Sequence, residues 1–279
     1  MFEWIVRQVR RDWEETASWP LPAQRAVFAR KFYPAPHVKR VTVRTGVIDG
    51  VPVRHFIPPS PGATRIVFFH GGSYIYGSTE TSHAEICAHV AFATSLEVIG
   101  VEYRLAPEHP WPAQLDDALK ACRAMGDSPL ILAGDSAGGH LAVRVSNAIK
   151  PRALVLLSPW ADLEMPGRSW VENATYEIGT RDVLVRHALG VAGTLPLSSF
   201  ALVNDPLAGL PPTFVSVGDA EGPRDDALRF VEALRTQRVD CTLHVAQDMP
   251  HNPTLFAGFH PSGKAAFDAA VSFIRTHAG

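Results

Sequence analysis

Residues 130 to 140 read LILAGDSAGGH, and this stretch decides the fold class. A run of strand-forming apolar residues stops at Gly134 and is followed by Ser136 with small residues close on both sides. A G-x-S-x-G sequence between a predicted strand and a predicted helix is typical of a tight, strained turn, in which side chains at positions 134 and 138 would collide. The stretch therefore predicts a serine hydroxyl at the carboxyl end of a strand, where parallel sheets bind their ligands.

On both sides of this turn the chain alternates between short apolar strands and helices. The predicted strands cover 65–70, 97–103, 129–135, 153–159, 213–219 and 241–246, and the predicted helices cover 82–94, 113–125, 137–149, 223–237 and 263–277. Such alternation gives a mainly parallel sheet with helices on both faces. Further upstream, two β-rich runs flank Asp49-Gly50, which suits a tight hairpin, so the sheet is expected to begin antiparallel. We expect a single α/β domain over residues 1–279 with about eight strands.

Two segments outside this alternation are predicted to form a helical cap, at about 1–38 and about 160–209. In the first, a helix of residues 2–16 is followed by a short helix from Pro22. Their apolar residues are Phe2, Ile5, Val9, Trp13, Phe28 and Phe32. A plain pair of surface helices is the alternative for this segment. The second segment is rich in Gly, Pro and Ser and lies between two strands.

The composition indicates a globular protein with a small-molecule ligand. The chain has 279 residues, 46% of them hydrophobic and 19% charged, which is enough for one large core. Its formal net charge is -2, which argues against a nucleic-acid partner. Because no apolar run is long enough to span a bilayer, membrane insertion is not expected. A homodimer is compatible with the sequence.

The three cysteines, Cys87, Cys122 and Cys241, are far apart in the sequence and form no CxxC pair. Their spacing indicates neither a disulfide framework nor a structural zinc site. Together with the lack of a signal-peptide pattern, this predicts a cytoplasmic protein. We expect no metal and no organic cofactor.

A reactive serine needs a base and an oriented acid, expected downstream in the order acid, then histidine. Among twelve histidines, His251 lies in the loop between the last strand and the last helix, from which it can reach Ser136. The acid should follow strand 213–219. Asp219 closes that strand, whereas Glu221 lies on the loop and has one more methylene group for reaching an imidazole. Residue chemistry leaves both open, with a small preference for Glu221.

A serine-dependent acyl transfer also needs donors for the oxyanion of its tetrahedral intermediate. Gly71 and Gly72 follow the strand at 65–70 and can turn their backbone N–H groups towards the cleft. The N–H group of Ala137 supplies a further predicted donor.

Taken together, these motifs resemble the hormone-sensitive-lipase-like family of α/β-hydrolases, the bacterial carboxylesterases called family IV. The resemblance covers nearly the whole chain. It rests on His70-Gly71-Gly72, on GDSAGG at 134–139 and on YRLAPEHP at 103–110. It implies an α/β-hydrolase fold and a serine carboxylesterase that cleaves short- to medium-chain acyl esters of small molecules through an acyl-enzyme, without a cofactor.

The resemblance also bears on the acid. In the subgroup that the chain most resembles, the acid begins a D/E-x-L-x-D pattern, and Glu221 to Asp225 fits this register with Pro223 in place of leucine. This implies Glu221 as the acid and keeps Asp219 as the alternative. Departures from the family pattern at Ser73, His140 and Asn252 leave the shape of the pocket open.

Four aromatic residues are candidate pocket walls: Tyr74, Tyr76, Phe28 and Trp160. The triad of Ser136, His251 and the acid would also serve a lactone, amide or carbamate hydrolase, because only the cap distinguishes these substrates. A non-catalytic small-molecule receptor is the rival from another class. Relatives that took this role lost the triad histidine, whereas this chain has His251.

Overall fold

The computed structural model describes residues 7, 8, 10, 11, 14–31, 40–177 and 179–279. Of the apolar residues predicted for the first two helices, Phe2, Ile5, Val9, Trp13 and Phe32 lie outside the described residues.

A single mixed sheet of eight strands runs through the described part of the chain. The strands are β1 (Thr42–Ile48), β2 (Val51–Ile57), β3 (Arg65–Phe69), β4 (Glu97–Val101), β5 (Leu130–Asp135), β6 (Ala153–Leu157), β7 (Thr213–Gly218) and β8 (Cys241–Ala246). Their spatial order is β1-β2-β4-β3-β5-β6-β7-β8. The pairs β1–β2 and β2–β4 are antiparallel, and the other five pairs are parallel. The predicted α/β fold with an antiparallel start is confirmed.

Helices pack on both faces of this sheet. The helices whose bounds lie within the described residues are α1 (Leu21–Lys31), α2 (Ala84–Thr94), α3 (Ala113–Ala124), α4 (Ala137–Ile149), α5 (Ser169–Glu172), α6 (Arg181–Ala192), α7 (Arg224–Thr236) and α8 (Pro261–His277). The core on one face includes buried residues of α3, α4 and α7, and the core on the other face includes buried residues of α2 and α8. α8 begins two residues before its predicted start, because Pro261 suits a first helical position and the His260 side chain accepts a hydrogen bond from the Ser262 N–H group.

Strand β5 lies in the middle of the sheet, between β3 and β6, and is buried along its whole length. Its side chains alternate between the two cores, with Leu132 on one face and Ile131 and Ala133 on the other. The end of β5 therefore places residue 136 near the centre of the carboxyl edge of the parallel strands.

The chain between β6 and β7, residues 158–212, is called the insertion here. It contains α5, α6 and two short 3-10 turns, Leu197–Phe200 and Leu202–Asn204. Among the described helices, none combines the length and the apolar character that a membrane span requires.

Helix α1 is attached to the body of the protein through Arg25. Its guanidinium donates to the backbone oxygens of Ile75 and Ala106 at 2.8 and 3.0 Å, and it forms an ion pair with Glu108 at 2.8 Å. Glu108 belongs to the YRLAPEHP loop, so this loop holds α1 in place.

Candidate active site

The serine turn, residues 134–139, has the strained backbone that its sequence predicts. Ser136 adopts φ 52 and ψ -119, a conformation that residues with a side chain rarely adopt. A Cβ atom at Gly138 would lie 1.9 Å from the carbonyl oxygen of Phe69, and one at Gly134 would lie 2.4 Å from that of Gly138. Close backbone packing therefore requires glycine at both positions, in agreement with the sequence argument.

His251 and Glu221 meet beside this turn. His251 Nδ1 lies 3.0 Å from Glu221 Oε2, and the backbone N–H of Asn252 donates to the same oxygen at 3.3 Å. The Glu221 side chain is fully buried, whereas the His251 side chain is 20% exposed. Of the two candidate acids, the structure brings Glu221 to the imidazole.

Asp219 has a different place. Its Oδ1 atom accepts a hydrogen bond from the backbone N–H of Met249 at 3.2 Å. The side chain thus braces the turn after β8, two residues before His251. This backbone role at the end of a strand was one of the two that its position allowed.

Three carboxylates act on the charge of His251. Burial lowers the pKa of the imidazole, but the hydrogen bond that its Nδ1–H donates to Glu221 and the negative charges of Glu177, Glu221 and Asp135 outweigh it and raise the pKa to about 9. The site therefore stabilises an imidazolium ion at position 251.

The backbone after β3 corrects one prediction. The N–H group of Gly71 donates to Asp135 Oδ1 at 2.8 Å in the interior, so it is already engaged and does not serve the cleft. A Cβ atom at Gly71 would lie 2.3 Å from Asp135 Oδ2. Gly72 and Ser73 line the cavity instead. Of the three predicted oxyanion donors, only Gly71 is contradicted. Ser73 takes its place at the cavity wall, although the sequence indicated it only as a departure from the family motif.

Asp135 connects three loops beneath the serine. Besides Gly71, its carboxylate binds His83 Nε2 and the side-chain amide of Asn252, each at 3.1 Å. Burial would raise the pKa of Asp135, but the charge and hydrogen bond of His83 and the N–H group of Gly71 hold it below its usual value. The carboxylate thus joins the serine turn, the loop after β3 and the loop that carries His251. Sequence reasoning did not single it out.

A cavity of about 680 Å³, its open mouth included, lies in front of Ser136 and His251. Its apolar walls are formed by Phe28, Trp160, Trp170, Leu184, Pro223 and Leu255. Phe28 and Trp160 were candidate wall residues, and the structure places both on the cavity. Trp170 and Leu184 come from the insertion, where no sequence periodicity indicated which side chains turn inward.

The other two candidate walls, Tyr74 and Tyr76, do not line this cavity. Tyr74 is fully buried, and its hydroxyl lies 2.7 Å from His140 Nδ1. Tyr76 stacks behind Phe28 with ring centroids 5.3 Å apart, and its hydroxyl lies 3.2 Å from His187 Nε2. Their hydroxyl groups need buried polar partners, which explains why both rings pack behind the wall.

His140 is one of the departures from the family pattern. Its Nε2 atom lies 3.1 Å from the carbonyl oxygen of Phe200 in the insertion. Burial and the neighbouring charge of Arg144 lower the pKa of His140 to about 3, so the ring is neutral and links Tyr74 to the insertion.

Among the described residues, no group of three or more His, Cys, Asp and Glu side chains is placed to hold a metal ion.

The topology defines the class of the protein. A mainly parallel sheet whose central strand ends in a strained serine turn, with the histidine following the last strand, is the arrangement of an α/β-hydrolase. Residues 66–255 match the family described as having the alpha/beta hydrolase fold.

Individual relatives narrow this class. The chain is 33% identical to an acetyl-hydrolase of Streptomyces hygroscopicus, over 80% of this chain and 79% of the relative. It is 32% identical to the carboxylesterase NlhH of Mycobacterium tuberculosis, over 85% of this chain and 82% of the relative. A crystal structure of an esterase from the bacterial hormone-sensitive lipase family superposes with a TM-score of 0.90 at 31% identity and covers 99% of this chain and 98% of that one. The chain belongs to this family and is a carboxylic ester hydrolase.

Proposed function

We propose that the chain hydrolyses short- to medium-chain acyl esters of small molecules with Ser136 as nucleophile, His251 as base and Glu221 as acid. The observation that carries the proposal is the hydrogen bond between Glu221 and His251 Nδ1 at the cavity that Ser136 also lines. With Nδ1 held by a carboxylate, Nε2 is the ring nitrogen that exchanges protons with the serine and the substrate.

In the proposed reaction, Ser136 Oγ attacks the ester carbonyl carbon and His251 Nε2 takes the hydroxyl proton. The tetrahedral intermediate collapses as the bond to the alcohol oxygen breaks, and the imidazolium gives its proton to that leaving oxygen. A water molecule, deprotonated by the same nitrogen, then attacks the acyl carbon of the acyl-enzyme and forms a second tetrahedral intermediate. This intermediate collapses as the bond to Ser136 Oγ breaks, which releases the carboxylic acid and returns the proton to Ser136.

The oxyanion is proposed to bind to the backbone N–H groups of Gly72, Ser73 and Ala137. Gly72 and Ser73 lie on the cavity, and Ala137 is the first residue of α4, whose N-terminus carries a partial positive charge. One donor of this kind lowers the activation free energy by about 3 to 4 kcal/mol.

The preference for short to medium acyl groups rests on the cavity. Two tryptophans and Phe28 line it with apolar surface beside the serine, which favours a compact acyl group. The name of the Streptomyces relative, an acetyl-hydrolase, supports the same direction.

A panel of p-nitrophenyl esters from acetate to palmitate, extended by lactones and aryl amides, tests this proposal. We expect kcat/KM to be highest for acetate to hexanoate and negligible for palmitate, with the Ser136→Ala protein as the blank. Faster turnover of a lactone or an amide than of every ester in the panel would replace the proposed substrate class.

A further inference from the structure

The acid loop, residues 219–223, is held from outside by the part of the insertion at residues 169–177. The peptide group that joins Glu221 to Gly222 is bound at both ends. Its carbonyl oxygen accepts a hydrogen bond from Asn173 Nδ2 at 2.9 Å, and its N–H group donates to Glu177 Oε2 at 2.5 Å. Because this peptide plane is attached to the Cα atom of Glu221, its orientation sets the direction in which the carboxylate reaches His251.

Glu177 does more than supply a hydrogen-bond acceptor. The residue is 6% exposed and lines the cavity together with Ser136 and His251. A glutamine side chain would accept the same bond from Gly222 through its amide oxygen. Burying an ionised carboxylate is costly unless a positive charge or several donors compensate. A cation on the same cavity contributes to this compensation, and the imidazole of His251 lies on that cavity.

When protonated, the imidazole of His251 is such a cation. Negative charges act on its imidazole from the acid loop (Glu221), from the insertion (Glu177) and from the end of β5 (Asp135), and together they raise its pKa. The Asp135 carboxylate is also bound by His83. Arg224, the residue after the acid loop, donates to the backbone oxygen of Asp219 and pairs with Glu172 and Asp225.

We propose that Glu177 is a positioning residue of the ester hydrolase: it fixes the Glu221–Gly222 peptide and supplies a second negative charge for the imidazolium that forms at His251 during the reaction. This inference rests on the proposed triad. It assigns part of the acid function to the insertion, a segment outside the sheet.

The test compares Glu177→Gln with Glu177→Ala in pH profiles of kcat/KM for p-nitrophenyl butyrate. The glutamine keeps the bond to Gly222 and removes the charge, so the imidazole loses its proton at lower pH. We therefore expect the midpoint of the acid limb of the kcat/KM profile to lie about one pH unit lower than in the wild type. We also expect a lower alkaline plateau, because the imidazolium is less stable in the transition state. The alanine variant should show both effects and a further loss of kcat from the released loop.

Glu164→Gln, the same substitution at an exposed position of the insertion, is the matched control and should leave the profile unchanged. A purely structural role would lower the rate by the same factor at every pH. The proposal would therefore be overturned if Glu177→Gln kept the midpoint of the wild-type acid limb, whatever the height of its plateau.

An NMR titration of His251 in the Ser136→Ala protein, with and without Glu177→Gln, separates this inference from the proposed function. It needs no turnover, and a lower midpoint in the double variant supports the role of Glu177. An unchanged midpoint in an enzyme whose activity still depends on Ser136 would refute the inference alone, whereas full activity of Ser136→Ala would refute the triad.

Discussion

The serine turn and the acid loop carry two parts of one proposed triad but are held in different ways. Around Ser136 the backbone packs so closely that a Cβ atom at Gly138 would meet Phe69, and the contacts come from neighbouring strands of the sheet. The acid loop is held by side chains of the insertion, among them Asn173 and Glu177.

The proposed nucleophile and its acid therefore depend on separate parts of the fold. Close contacts leave no room for a Cβ atom at Gly134 or Gly138, so substitutions of these two glycines should act through folding. The acid loop is placed by polar contacts from a segment that also lines the cavity. Changes there should act through the charge and orientation of His251.

Replacement of Ser136 by alanine should have the largest effect. Loss of the nucleophile is expected to lower kcat for p-nitrophenyl butyrate by about 10⁶. The exposed Ser272→Ala variant serves as control and should match the wild type. Near-normal turnover by Ser136→Ala would remove the serine turn from the chemistry and end the comparison.

The two candidate acids should separate clearly. Glu221→Ala is expected to lower kcat by about 10⁴, because the imidazolium loses the carboxylate bound to its Nδ1 atom. Asp219→Ala removes only the acceptor for the Met249 N–H group and should cost less than about tenfold. Steady-state kinetics of both variants decide the assignment, which fails if Asp219→Ala is the more damaged protein.

The pH dependence should report on the acid loop. The base must be neutral to accept the serine proton, and the carboxylates hold the pKa of His251 at about 9. Below that value kcat/KM should therefore rise about tenfold for each pH unit, and it should level off above it. A profile that is already flat from neutral pH upward would show that these carboxylates do not keep the imidazole of His251 protonated in the free enzyme.

Gly138→Ala should affect folding more than chemistry. The added methyl group would lie 1.9 Å from the Phe69 carbonyl oxygen, so the strand or the helix must shift. We expect a loss of about 1 to 3 kcal/mol in the free energy of unfolding, measured by urea denaturation. Gly258→Ala is the control, since a Cβ atom there meets nothing within 4 Å. Equal stability of the two variants would contradict the steric account of the serine turn.

The sequence predicted what depends on neighbouring residues. The spacing of small residues around Ser136 and the apolar run before it indicate the serine turn, and the order of elements places His251 after the last strand. The choice between Glu221 and Asp219 stayed open from residue chemistry alone, because it depends on contacts with a segment more than forty residues away, such as Glu177 with Gly222.

Three further features could not be predicted for the same reason. The engagement of the Gly71 N–H group depends on the rotamer of Asp135, which no local pattern encodes. Tyr74 and Tyr76 follow the glycine loop in sequence, but their hydroxyl groups find partners in α4 and α6 and turn away from the cavity.

The double duty of the insertion has a consequence for redesign of the enzyme. Exchanging this segment with that of a relative is an obvious way to change substrate range, because Trp170 and Leu184 belong to the cavity wall. A graft that omits Asn173 and Glu177 would also release the peptide that orients Glu221. Transplanted segments should therefore retain these two side chains, so that the change in specificity does not also lower kcat.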